Sequence, residues 1–128
     1  MSGTGQRFFD KRQELINILN KYKDENGISK ITRTEIESIM KLSTTSVNNT
    51  IKSINDDAKE QVIKHYNEWY IVKIKEIWEI PKYQLYIKII KDILEDNNLI
   101  NENEYKMAEK YKTDRKTIQT IKTILKEW

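Results

Sequence analysis

The sequence predicts a mainly helical protein with one small β-hairpin, in which a single three-helix plan is used twice. Three observations lead there. Apolar residues recur at helical spacing over most of the chain. One short stretch, Tyr70-Ile71-Val72-Lys73-Ile74, alternates instead at strand spacing. A shift of 71 residues lays the second half on the first without a gap, placing Ile118 on Val47, Met107 on Ile36, Leu99 on Ile28, Asn97 on Asn26 and Ile87 on Ile16. Self-similarity at a fixed offset bears on the fold before any single element does.

Residues 1–7 (MSGTGQR) are small and polar and read as a disordered terminus. The first unit is expected over residues 8–80. Phe8, Leu15, Ile16, Leu19 and Tyr22, with Ile18 beside them, mark a first helix that Asn26-Gly27 ends, the glycine suiting a left-handed position. Thr32 starts the next helix, and Glu35 three residues on completes a capping box. Ile36, Ile39 and Met40 are expected to face inward. Leu42-Ser43 forms a turn with Ser43 as N-cap, and Val47, Ile51 and Ile54 give the buried stripe of a third helix. Val62 to Tyr66 pairs with the Tyr70 strand across Asn67-Glu68. The competing reading is one long helix through Ala58, Val62, His65 and Trp69. The hairpin is preferred because YIVKI is β-branched and aromatic and because Asn55-Asp56-Asp57 makes a poor helix interior.

The second unit is expected over residues 81–128. Pro81, the single proline, marks the boundary because it has no place in a helix interior. Leu85, Tyr86, Ile89, Ile90, Ile93 and Leu94 give an amphipathic helix that Glu95-Asp96-Asn97-Asn98 ends. Leu99 and Ile100 plug the following loop. Tyr105, Met107, Ala108 and Tyr111 lie on the next helix, and Ile118, Ile121 and Leu125 form the inner stripe of the last. A second hairpin is not expected in this unit.

Composition narrows the function. Of 128 residues, 38% are hydrophobic and 34% charged, with a net charge of +3, so the core is modest and the placement of charge matters more than its sum. Without cysteine there is no disulfide, thiolate metal site or cysteine nucleophile. His65 has no second His or Cys to complete a metal site, and Gly3, Gly5 and Gly27 form no phosphate-cradling loop. Glu102 with Glu104, and Asp56 with Asp57, are caps or loop residues rather than a catalytic pair. Neither an enzyme nor a cofactor is expected. The Ile-rich stretches IVKIKEIWEI and YIKIIKDIL are broken by charges and cannot cross a bilayer, and no signal peptide opens the chain, so a cytoplasmic protein without a membrane partner is expected.

The exposed faces carry the chemistry. A short helix, a tight polar turn and a second helix is the plan of a helix-turn-helix, whose second helix enters the DNA major groove. In the first unit the exposed positions are Thr44, Thr45, Ser46, Asn48, Asn49 and Lys52; in the second they are Arg115, Lys116, Thr117, Gln119, Thr120 and Lys122. Asn and Gln bond adenine bidentately, Arg prefers guanine, and the methyl of Thr packs on that of thymine. Arg33 and Lys64, with Lys30, Lys41, His65, Lys73 and Lys75, suit phosphates. Residues 108–128 hold six basic residues against three acidic ones, a surplus equal to that of the whole chain. No acidic residue is expected on either reading face apart from the cap Asp114.

The segment LSTTSVNNTI (Leu42 to Ile51) resembles the turn and recognition helix of winged-helix regulators of the GntR and MarR type. MAEKYKTDRKTI (Met107 to Ile118) is similar to the GntR pattern, with Ala108 as its small residue, Asp114 as cap, Arg115, and Ile118 as apolar anchor. Lys41 and Lys112 stand where that pattern has glycine, and no effector or dimerisation domain is expected. The resemblance implies tandem helix-turn-helix units, the first winged, and binding to double-stranded DNA through Thr44, Thr45, Asn48, Arg115, Lys116 and Gln119. It further implies a transcriptional regulator or a plasmid or phage replication, transfer or partition factor. One chain is expected to be able to span two successive major-groove faces, and a homodimer to read a palindrome. The alternative is a protein–protein adaptor of the same fold, marked by an exposed apolar patch at Trp69, Trp78 and Trp128.

Overall fold

A computed structural model describes residues 4–126. The protein is mainly helical, with six α-helices and one small three-stranded antiparallel sheet among those residues. Its elements are α1 (Thr4–Lys21), β1 (Ile28–Ser29), α2 (Arg33–Met40), α3 (Thr44–Ala58), β2 (Ile63–Tyr66), β3 (Trp69–Val72), α4 (Pro81–Glu95), α5 (Glu104–Lys110) and α6 (Arg115–Lys126). Short 3-10 turns lie at Ile77–Glu79 and Asn97–Asn101. None of the helices is long and apolar enough to cross a membrane. Contacts divide the chain into two compact units, Asp10–Tyr83 and Met1–Phe9 with Gln84–Trp128. The opening of α1 falls in the unit that holds residues 84–128. Residues 4–7, expected to be disordered, form the first turns of α1, and residues 1–3 lie outside the described part.

In the Asp10–Tyr83 unit the hairpin forms and the long helix does not. α3 stops at Ala58 because Lys59 takes a left-handed conformation at φ 59°. β2 then pairs with β3 in the register Ile63 to Val72 through Tyr66 to Trp69, and the two-residue turn puts Asn67 at φ 58°. Asparagine tolerates that region better than most side chains. The Asn55 side chain brackets Ile63, donating to its carbonyl at 2.9 Å and accepting from its N–H at 3.0 Å, so the hairpin is pinned to the last turns of α3. A third strand, β1, pairs on the other side of β3. Its two residues are too few to leave a periodic signature. Gly27, at φ 82°, serves the turn before β1 rather than capping α1.

The core of this unit is Leu15, Ile16, Leu19, Ile31, Ile36, Val47, Ile54, Val62, Tyr70 and Val72, all essentially buried. Fully burying such side chains contributes about 1.5–3 kcal/mol each. Phe9 rather than Phe8 is buried on α1, Tyr22 is 37% exposed, and Ile39 on α2 is 45% exposed. A buried polar network runs beneath α3. Arg12 donates to Tyr83 Oη at 3.0 Å and to Ser53 Oγ at 2.7 Å, and Tyr83 donates to Asp57 at 2.7 Å. Lys82 adds an ion pair to Asp57 at 3.3 Å. Burial, and next the Asp57 bond and charge, hold the Tyr83 hydroxyl well above the ordinary tyrosine range, although the Arg12 guanidinium opposes the shift.

The second unit buries Tyr86, Ile89, Ile90 and Ile93 of α4, Met107 and Ala108 of α5, and Ile118, Ile121 and Ile124 of α6. Pro81 opens α4, where its missing N–H would have had no intrahelical carbonyl to bond and its fixed φ suits the helix. Leu94, expected inside, is 55% exposed, and Ile124 replaces Leu125 in the inner stripe of α6. Ile100, expected to plug the loop, is 38% exposed. Tyr111 donates to Asp92 at 2.7 Å and ties the end of α5 to α4.

Candidate nucleic-acid interface

The 71-residue offset reappears in the backbone. α2 and α5 begin at Arg33 and Glu104, and α3 and α6 begin at Thr44 and Arg115, each pair 71 apart. Thr32 and Asn103 are the equivalent N-caps. Thr32 accepts from the Glu35 N–H while Glu35 reaches back to Thr32, which completes the capping box. The turns match as well. Lys41 and Lys112 are both left-handed, at φ 57° and 54°. Leu42 N–H donates to the Glu37 carbonyl at 3.1 Å, and Thr113 N–H donates to the Ala108 carbonyl at 2.9 Å. Ser43 Oγ accepts from Ser46 N–H at 3.1 Å, and Asp114 accepts from Thr117 N–H at 2.7 Å. A lysine in the left-handed region costs about 1 kcal/mol, which the two turn bonds and the following cap offset.

Between the helices of the first unit, Glu37 acts as a clamp. It accepts the Thr44 hydroxyl at 2.7 Å and pairs with Arg33 at 3.5 Å. Thr44 is therefore a positioning group at the start of α3, and Ser46, partly buried, shares the Ser43 cap. The remaining face is open. Thr45, Asn48, Asn49 and Lys52 on α3, and Lys64 on β2, are exposed, and none of these side chains is bonded among the described residues. Asn48 and Lys52 line a groove of about 660 Å³, which Arg33 enters from α2 and His65 from β2. Asp56 and Glu60 line the same groove, so the expectation of a first reading face without acidic residues is not met. The His65 ring lies 4.6 Å from the Tyr70 ring, whose hydroxyl is buried without a partner among the described residues. Desolvation raises the pKa of that hydroxyl.

The second unit presents a different face on the same plan. Arg115 pairs with Glu104 at 3.8 Å, bonds the Tyr105 hydroxyl and lies over the Tyr105 ring at 4.9 Å. Gln119 donates to Glu104 at 3.0 Å, and Lys122 donates to the Glu102 carbonyl at 2.9 Å. Thr120 bonds back to the Lys116 carbonyl at 3.0 Å. Thr117 was expected on the exposed face but is only 4% exposed, because the Asp114 cap turns that residue inward beside Ile118. Of the three cations expected on this second face, Arg115, Lys116 and Lys122, only Lys116 is unbonded among the described residues.

The carboxylates that bond these side chains, Glu37 and Glu104, come from the preceding helix. A reading of the second helix by itself cannot find them. Of the expected apolar patch, Trp69 is half-buried with the Lys30 ammonium 5.4 Å from its ring, Trp78 is half-buried, and Trp128 lies outside the described residues. No family model matches the chain, and no curated protein and no solved structure matches it.

Proposed function

We propose that this chain is a sequence-specific double-stranded DNA-binding protein built from tandem helix-turn-helix units, the first of them a winged helix. One observation carries the reading. The outer face of α3 holds Thr45, Asn48, Asn49 and Lys52 exposed and unbonded, on a helix fixed at both ends, beside a groove that β2 helps to line. An α-helix has the width the major groove admits, and asparagine bonds both edges of adenine. Asn48, Asn49 and Thr45 read base edges, and Arg33, Lys52 and Lys64 hold phosphates. The bonds at Glu37 and Asn55 set α2, α3 and the hairpin before DNA arrives, so little ordering entropy remains.

The chain acts by binding, without catalysis or cofactor, as a cytoplasmic transcriptional regulator or as a replication, transfer or partition factor of a plasmid or phage. A homodimer reads a two-fold-related site. Selection from a random-sequence duplex pool, followed by anisotropy titration over a salt series, tests this. The enriched duplex is expected to bind roughly a thousandfold more tightly than random duplex, with affinity falling as salt rises. Equal affinity for both would overturn the reading.

A protein-binding adaptor is the second reading. It is favoured by the exposure of Leu94 at 55% and Tyr105 at 66% in the second unit. Salt-insensitive capture of a protein, with no duplex enriched, would select it.

A further inference from the structure

Arg33 and Glu104 hold the same place, the first residue of α2 and of α5, and carry opposite charge. In the first unit that place puts a cation at the groove beside Asn48. In the second it puts a carboxylate against Arg115 and against Gln119, the residue equivalent to Asn48. We infer that Glu104 is an electrostatic brake on the α6 face, resting on the DNA-binding reading above. Duplex DNA must displace Glu104 from Arg115 and Gln119 before α6 can engage it.

The physical case is a competition. A phosphate approaching Arg115 meets a carboxylate 3.8 Å from Nε, with like charge and the same donors. One N–H of the Gln119 amide is held by Glu104 at 3.0 Å, so adenine competes with that carboxylate for the amide. Glu104 is itself well placed for the fold, since negative charge is favoured in the first turn of a helix. The carboxylate therefore stays near both donors, and the Tyr105 ring beneath Arg115 keeps the guanidinium in range. Both sides of the pair remain partly exposed, at 47% and 34%, so the brake is weak and DNA can release it. The two reading faces are thereby graded. The α3 face is open, and the α6 face is engaged only where phosphate density is sufficient.

The experiment is anisotropy titration of the full chain on a fluorescein-labelled mixed-sequence duplex over a salt series. It compares the wild type with Glu104→Gln, Glu104→Ala and Glu109→Gln. Glu109 is exposed in the same unit, so its variant makes the same change of net charge without touching the face. Both Glu104 variants are expected to bind roughly two- to fivefold more tightly than wild type, with a salt slope steeper by about one. Glu109→Gln is expected to gain less than either and to leave the slope unchanged. Wild-type binding with Glu104 variants no tighter than Glu109→Gln would overturn the brake and leave the DNA-binding reading standing. Failure of every form to bind duplex would overturn both.

Discussion

Thr32–Ile54 and Asn103–Leu125 run the same backbone program and end with different surfaces. Caps, left-handed lysines and turn bonds recur at matching positions. On α3 the side chains of Thr45, Asn48, Asn49 and Lys52 are unbonded among the described residues, whereas on α6 Arg115 and Gln119 are bonded to Glu104 of α5 and Lys122 to the Glu102 carbonyl just before it. Such a difference teaches that the plan of a reading element is local but its availability is tertiary. Ser43 and Asp114 decide where α3 and α6 start, and Glu37 and Glu104 decide which side chains remain for a partner.

The comparison breaks most readily in the core. Ile36 and Met107 occupy the same position and are 0% and 1% exposed. Ile36→Ala and Met107→Ala should each destabilise by about 2–5 kcal/mol in denaturant unfolding. A cost well below that range at either would mean that its inner face is not packed as described. Next in size is the reading face. Asn48→Ala should remove about 1–3 kcal/mol of discrimination between enriched and random duplex. Gln119→Ala should remove much less, since its partner in the free protein is Glu104. Equal losses would erase the contrast.

The turns provide a test in the opposite direction. Lys41→Gly and Lys112→Gly should each stabilise by about 0.5–1 kcal/mol, because glycine adopts positive φ without a clash, partly offset by its greater freedom in the unfolded chain. Destabilisation at only one site would show that the two turns differ.

The smallest effect lies at alkaline pH. Burial first, and then the Asp92 bond and charge, push the Tyr111 hydroxyl up to about 12. Because the folded value lies above the unfolded one near 10, Tyr111 contributes stability below that value and loses it as the pH rises from about 10 through 12. Tyrosinate absorbance should show Tyr111 and Tyr83 ionising above the ordinary tyrosine range. Tyr111→Phe should remove one late step and flatten the alkaline loss of stability.

Much of the fold was legible because its signals are local. The Thr32 and Glu35 capping box, the Ser43 cap, Pro81 at a helix start, the Val47, Ile51 and Ile54 stripe and the β-branched hairpin each depend on a few adjacent residues. One-residue errors of phase, Phe8 for Phe9 and Leu125 for Ile124, arise where two neighbours are equally apolar and only packing separates them. Ile39 was misplaced for a related reason, since α2 is too short for its period to identify the inner face. β1, the buried Arg12 network and the Glu104 contacts depend on residues brought together from distant or separate elements. No helical wheel of α6 contains Glu104.

The central claim is that the open face of α3 and the hairpin meet duplex DNA. Amide and side-chain chemical-shift mapping of the labelled chain, titrated with its enriched duplex, tests it most directly. The largest changes are expected at Thr45, Asn48, Asn49, Lys52 and Lys64, with smaller ones at Arg115 and Gln119. Changes confined to other surfaces, or none at saturating duplex, would contradict it.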